Sequence, residues 1–138
     1  MSDNEQEHVK LHSLQAMTLK EIYQYAKAYK VPYYSQMNKK ELIMAVLRAQ
    51  EVSQGFMNVE GVLDITGSDF GFLRSINYSP SQEDIYISNS QIRRFGLRNG
   101  DLVSGTARPP KASERYLGLM HVYAVNGKDP DEAKERAH

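Results

Sequence analysis

The sequence predicts an α+β protein, a small N-terminal helical hairpin followed by a five-stranded β-barrel, from three observations. A helix-start signature occurs twice early in the chain, at Thr18 and at Asn38. After Gln50 the helical period of apolar residues gives way to short strand-like runs of period two. Turn signals rich in Gly, Asn and Pro separate those runs, with one capped helical turn among them.

The elements follow in order. Leu11 to Met17 reads as a short supporting helix. In Met17-Thr18-Leu19-Lys20-Glu21-Ile22 and Met37-Asn38-Lys39-Lys40-Glu41-Leu42, an N-cap residue type is followed three residues on by glutamate. Met17/Ile22 and Met37/Leu42 sit where a hydrophobic staple closes. Leu19, Ile22, Ala26 and Tyr29 form the apolar stripe of the first helix, and Leu42, Ile43, Val46 and Leu47 that of the second, across the break Val31-Pro32-Tyr33-Tyr34. The helical subdomain is assigned to 1–50 and a linker to 51–58. Strands are expected over 59–66, 70–75, 84–88, 102–107 and 115–125, with turns at Gly67-Ser68-Asp69, 77–81, Asn99-Gly100-Asp101 and Arg108-Pro109-Pro110. Between the third and fourth runs, the stretch from Ser88 to Gly96 reads as the capped helical turn. Five short strands so interrupted fit a Greek-key barrel of the oligonucleotide-binding type, an OB-fold, over 59–126.

Strand alternation decides which side chains can be core. In Asp84-Ile85-Tyr86-Ile87-Ser88, burying the two isoleucines turns Asp84 and Tyr86 outward. In Phe70-Gly71-Phe72-Leu73-Arg74, Phe70, Phe72 and Arg74 share a face opposite Leu73, and Gly71 leaves room for something to approach. With Leu117 and Leu119 inward, Tyr116 lies outward beside Glu114. Rings on an open sheet, with an arginine and carboxylates among them, are what stacking and edge-reading of unpaired bases require. Single-stranded nucleic acid is the first expectation.

A chain of 138 residues, 41% of them hydrophobic, makes one ordinary domain or two very small ones. Its 17 basic and 17 acidic residues cancel, so no global field attracts a polyanion. Between Arg93 and Arg115, however, six cations stand against two carboxylates, a net of +4. Lys39 and Lys40 read as solvated first-turn lysines. The absence of cysteine excludes disulfides and thiolate metal sites and fits a reducing compartment. The start, Met1-Ser2-Asp3-Asn4-Glu5-Gln6-Glu7, is acidic with no apolar segment behind it, and no apolar run approaches the ~20 residues needed to cross a bilayer. A soluble cytoplasmic protein is expected. His8, His12, His121 and His138 lack metal-ligand spacing, and no cofactor is expected in this chain.

The sequence also resembles a known family. Gly71-Phe72-Leu73-Arg74, Asp84-Ile85-Tyr86-Ile87-Ser88, Ser90-Gln91-Ile92-Arg93-Arg94-Phe95, Leu97-Arg98-Asn99-Gly100-Asp101, Arg108-Pro109-Pro110-Lys111 and Glu114-Arg115-Tyr116 resemble, in order and spacing, the N-terminal RNA-binding part of the bacterial transcription termination factor Rho. The resemblance covers the barrel, 60–126, and extends to the helical hairpin before it. It implies a cold-shock-like barrel that acts as the primary site capturing pyrimidine-rich, preferably cytosine-rich, single-stranded RNA for termination. It further implies that Phe72 stacks one base whose edge meets Arg74 and Asp84, and that Tyr86, Glu114 and Tyr116 enclose a neighbouring base in a slot too small for a purine. Phe70 would line the surface, Lys111 would meet phosphate, and Arg94 and Arg108 would assist.

The chain departs from the full-length factor in having no Gly-x-x-x-x-Gly-Lys-Ser/Thr phosphate loop; its Gly127-Lys128 is followed by Asp129-Pro130. The segment 127–138 resembles the start of a connector to an absent ATPase domain, so the chain reads as a fragment that binds RNA and is not itself an enzyme, with ATP and magnesium serving the missing motor. The resemblance implies a homo-hexamer for the full-length factor, a monomer for this fragment, and RNA polymerase and regulators among its partners; no membrane is involved. Two other classes compete. The barrel fold also serves protein docking, and a cold-shock relative binds single-stranded DNA or RNA without sequence preference.

Overall fold

The computed structural model describes residues 10–67, 70–74 and 84–135. The acidic start, residues 68–69, the turn expected at 77–81, Ser75 and the last three residues lie outside them. The chain divides between Gln54 and Gly55 into two compact units. No helix among the described residues is long and apolar enough to cross a membrane.

The first unit contains α1 (Leu11–Gln15), α2 (Leu19–Ala28) and α3 (Lys39–Ser53), with a 3-10 turn at Tyr34–Gln36. Both expected caps form as complete boxes. The Thr18 side chain accepts from the Glu21 amide and Glu21 Oε1 accepts from the Thr18 amide at 2.8 Å; Asn38 and Glu41 repeat this at 2.8 and 2.9 Å. These bonds satisfy amides that the first turn of a helix leaves without partners. After Tyr29, Lys30 turns left-handed (φ 58°) and the Val31 amide donates to Ala26 O, which closes the helix and sends Val31 into the core. Leu14, Ile22, Ala26, Val31, Leu42, Ile43 and Val46 form that core, with Met17 and Met37 packed against it.

Two expectations in this unit need correction. Leu19 is 41% exposed; it stands at the first position of α2, and Met17, just before the cap, packs against the core instead. The linker placed over 51–58 shrinks to residues 54–56, because α3 runs to Ser53 and the first strand starts at Met57. Nothing breaks the helix before Gly55, which is left-handed at φ 102° just after the C-cap Gln54.

The second unit is a closed barrel of β1 (Met57–Thr66), β2 (Phe70–Arg74), β3 (Ile85–Ser88), β4 (Leu102–Arg108) and β5 (Leu117–Val125), joined in the order β1-β2-β3-β5-β4 and back to β1. Among the described residues only the β3–β5 pair runs parallel. It is the expected OB-type barrel. Leu63, Leu73, Ile85 and Leu117 are successive cross-strand partners on the inner face. Gly71 is buried, and a Cβ there would lie 3.0 Å from Asp64 O and 3.2 Å from Leu63 Cδ1. The room it leaves is therefore taken by β1, not by an approaching ligand.

The helical turn is α4 (Asn89–Arg94), capped by a Ser88–Gln91 box; Gln91 Nε2 also donates to Leu119 O at 2.9 Å, tying α4 to β5. The Leu97-Arg98-Asn99-Gly100-Asp101 run is bonded back onto β1, the Leu63 amide donating to Asp101 O at 2.8 Å and the Gly100 amide to Leu63 O at 2.9 Å. Buried Asp101 accepts from the Arg98 amide at 2.8 Å and from Asn126 Nδ2 at 3.0 Å, while Asn99 Oδ1 accepts from the Ile65 amide at 2.6 Å. The 127–138 segment does not leave the barrel at once: α5 (Pro130–Lys134), N-capped by Asp129, buries Pro130 and places Ala133 in the barrel core.

Candidate nucleic-acid interface

The outer face of β1-β2-β3-β5 carries a register row Asp64–Phe72–Tyr86–Gly118. Burial alternates along β2 and β3 as the inner leucines and isoleucines demand: Leu73, Ile85 and Ile87 are buried while Phe72 is half-buried and Tyr86 exposed. Phe72 is the hub. Its ring centroid lies 5.7 Å from Phe70, 6.2 Å from Tyr86 and 4.9 Å from Tyr116, at interplanar angles of 90°, 75° and 63°. Edge-to-face contact is favourable for aromatic quadrupoles, and here it produces walls of differing orientation that flat ligands can lie against.

Arg74 lies over one of these rings, its Cζ 5.1 Å from the Phe72 centroid. Its Nε and Nη2 each approach Asp64 Oδ2 at 3.1 Å and its Nη1 is paired with Asp84 Oδ2. Burial opposes the guanidinium charge, but hydrogen bonds and attraction from Asp64 and Asp84 outweigh it, and the Arg74 pKa rises above the ordinary arginine value.

On the β5 side, Arg108 Nη1 and Nη2 grip Glu114 Oε1 and Oε2 at 2.7 and 2.9 Å, and Oε1 also accepts from the Lys111 amide at 3.0 Å. This fork closes the 109–113 turn, and the guanidinium lies 3.6 Å from where a Gly118 side chain would start. The bonds from Arg108 and Lys111 hold the Glu114 carboxyl at a pKa of about 2, below its ordinary 4.5. A depressed carboxylate stabilises the fold above its unfolded value and loses that contribution as pH falls through its folded one. The clamp is thus intact at neutral pH and lost only as pH drops from about 4.5 toward 2.

The structure thus brings Phe70, Phe72, Arg74, Asp84, Tyr86 and Tyr116 together, and adds Arg108, Lys111 and Glu114 as a clamp beside Gly118. Arg94 lies on α4, its guanidinium 5.3 Å from the Phe95 ring. Tyr116 reaches Phe72 for a reason other than the expected one: β5 starts at Leu117, so Tyr116 lies in the short irregular stretch between the clamp and β5 and not in an alternating strand. Asp64 was missed, although Leu63 and Ile65 on either side of it already implied an outward carboxylate.

A closed OB-type barrel with clustered rings and a carboxylate-held arginine on one open face defines a candidate single-stranded nucleic-acid binder. The Rho termination factor RNA-binding domain family matches residues 59–131, and the Rho termination factor N-terminal domain matches residues 13–55. The chain belongs to this family. It is 62% identical over 131 residues to the transcription termination factor Rho of Bacillus subtilis, covering 94% of this chain and 31% of that protein. It is 42% identical over 136 residues to that of Thermotoga maritima, covering 97% and 32%, and 44% identical over 104 residues to that of Salmonella typhimurium, covering 74% and 25%. It spans about a third of the length of the first two.

Proposed function

We propose that the chain binds single-stranded, pyrimidine-rich RNA, cytosine above uracil, as the primary transcript-capturing site of a Rho-type termination factor. The observation that carries this is Arg74 held by Asp64 and Asp84 over the Phe72 ring. A base stacked on Phe72 meets a carboxylate that accepts from the exocyclic amine of cytosine, and guanidinium N–H groups that donate to its carbonyl and ring nitrogen. Tyr86 and Tyr116 bound the neighbouring position, with the Glu114 clamp close before Tyr116 in the chain. Lys111 serves a phosphate, and Arg94, on α4, the flanking backbone. Binding requires neither ATP nor magnesium. Hydrolysis, translocation and hexamer-dependent termination belong to the rest of such a factor, working in the cytoplasm.

Oligo-C, oligo-U and oligo-A of equal length, titrated at two salt concentrations, test this. Affinity is expected to fall in the order C, U, A, with a shallow salt dependence, because each phosphate neutralised adds about 0.7 to the slope on a single strand and roughly two or three are in reach. Equal affinity for oligo-A and oligo-C would leave a nonspecific binder, and no affinity for any would leave protein docking.

A further inference from the structure

We infer that Asp64 is a positioning residue that reserves Arg74 for base edges and withholds it from phosphates. This rests on the base-reading function proposed above. A guanidinium has five N–H donors. On Arg74, Nε donates to Asp64 Oδ2 at 3.1 Å and Nη1 to Asp84 Oδ2, while Nη2 lies in ion-pair contact 3.1 Å from the same Asp64 oxygen, which leaves N–H groups of the two terminal nitrogens for a ligand. N–H groups on a fixed plane match the two acceptors, carbonyl oxygen and ring nitrogen, of a cytosine edge, whereas the uracil ring nitrogen carries a hydrogen and cannot accept.

The placement follows from register. Asp64 is the β1 partner of Phe72, so its carboxylate lies directly across from the ring on the same face. Asp84 approaches from the chain just before β3. Held from two directions, with Cζ 5.1 Å from the Phe72 centroid, Arg74 need not give up the rotamer freedom that a loose arginine loses on binding. The charge balance points the same way. Two carboxylates around one guanidinium leave this margin net negative, which repels phosphate and favours a ligand group rich in donors, such as an exocyclic amine.

Asp64→Asn keeps the shape and removes the charge. Half-exposed Asp64 lies outside the core, and thermal melting is expected to show the variant folded. Its preference for oligo-C over oligo-U is expected to shrink by roughly two- to five-fold, the range one exposed ion pair supports. Its salt slope is expected to steepen by about 0.7 as Arg74 turns to a phosphate. Asp64→Glu is expected to restore both. In the ligand-free protein the Arg74 Nε–H resonance, protected from solvent exchange, is expected to lose protection in Asp64→Asn, a readout independent of RNA and of global stability. An Asp64→Asn variant with undiminished C-over-U preference and an unchanged slope would overturn this role alone. An unaltered chain that fails to distinguish C from U would overturn the base-reading function, and this role with it.

Discussion

Leu73→Ala is expected to destabilise the barrel by about 2–5 kcal/mol, while Phe72→Ala, one residue earlier on the same strand, costs the fold far less and instead weakens oligo-C binding by about 1–3 kcal/mol. Leu73 is fully buried among Leu63, Ile85 and their neighbours, so truncation opens a cavity in a closed barrel that has little freedom to collapse. Phe72 is half-buried on the other face and contributes edge contacts to three rings. Chemical denaturation of both variants, read beside their RNA titrations, checks the pair. Because a register slip of one residue exchanges the faces, an unfolded Phe72→Ala beside a stable, non-binding Leu73→Ala would invert the assignment.

Gly105→Ala is expected to cost about 3 kcal/mol or more, the upper range for inserting atoms into packed structure. A Cβ at Gly105 would stand 1.9 Å from His121 O and 3.3 Å from Val122 Cα, all backbone of the neighbouring strand, at a point where the β4–β5 register shifts. Neither strand can yield without breaking the ladder that closes the barrel. Gly118→Ala is the control. There the nearest atoms are the movable guanidinium of Arg108 at 3.6 Å, an ordinary contact, and the melting temperature should hardly change. Comparable melting temperatures for the two variants would show that β4 and β5 do not approach as closely as described.

What the sequence made legible was local or strictly periodic. The caps at Thr18, Asn38 and Ser88 are signalled by a residue and its partner three positions on, and all three form. The outward faces of β2 and β3 follow from alternation around Leu73, Ile85 and Ile87. What escaped depends on contacts between distant segments. Asp64 acquires meaning only through register with Phe72, a pairing between distant segments that its own strand does not signal. Arg108 and Glu114 look like members of a basic stretch, yet they pair with each other, and Arg94 and Arg115 lie against the neighbouring rings of Phe95 and Tyr116. These contacts order the segment locally and leave its net charge of +4 unchanged, because Glu114 is already counted in it. The tail read as a connector packs on the barrel with Ala133 buried in its core, which no local pattern announces.

The most direct test of the account is to titrate a short oligo-C RNA into the chain with its aromatic and arginine side chains isotopically labelled, and to follow their NMR resonances. Ring-current shifts concentrated on Phe70, Phe72, Tyr86 and Tyr116, together with a perturbed Arg74 guanidinium and no such changes with oligo-A at equal concentration, are the predicted result. Saturable binding that leaves those rings unmoved, with shifts confined to Arg93 and Arg94 on α4 or to the lysines of the helical unit, would contradict it.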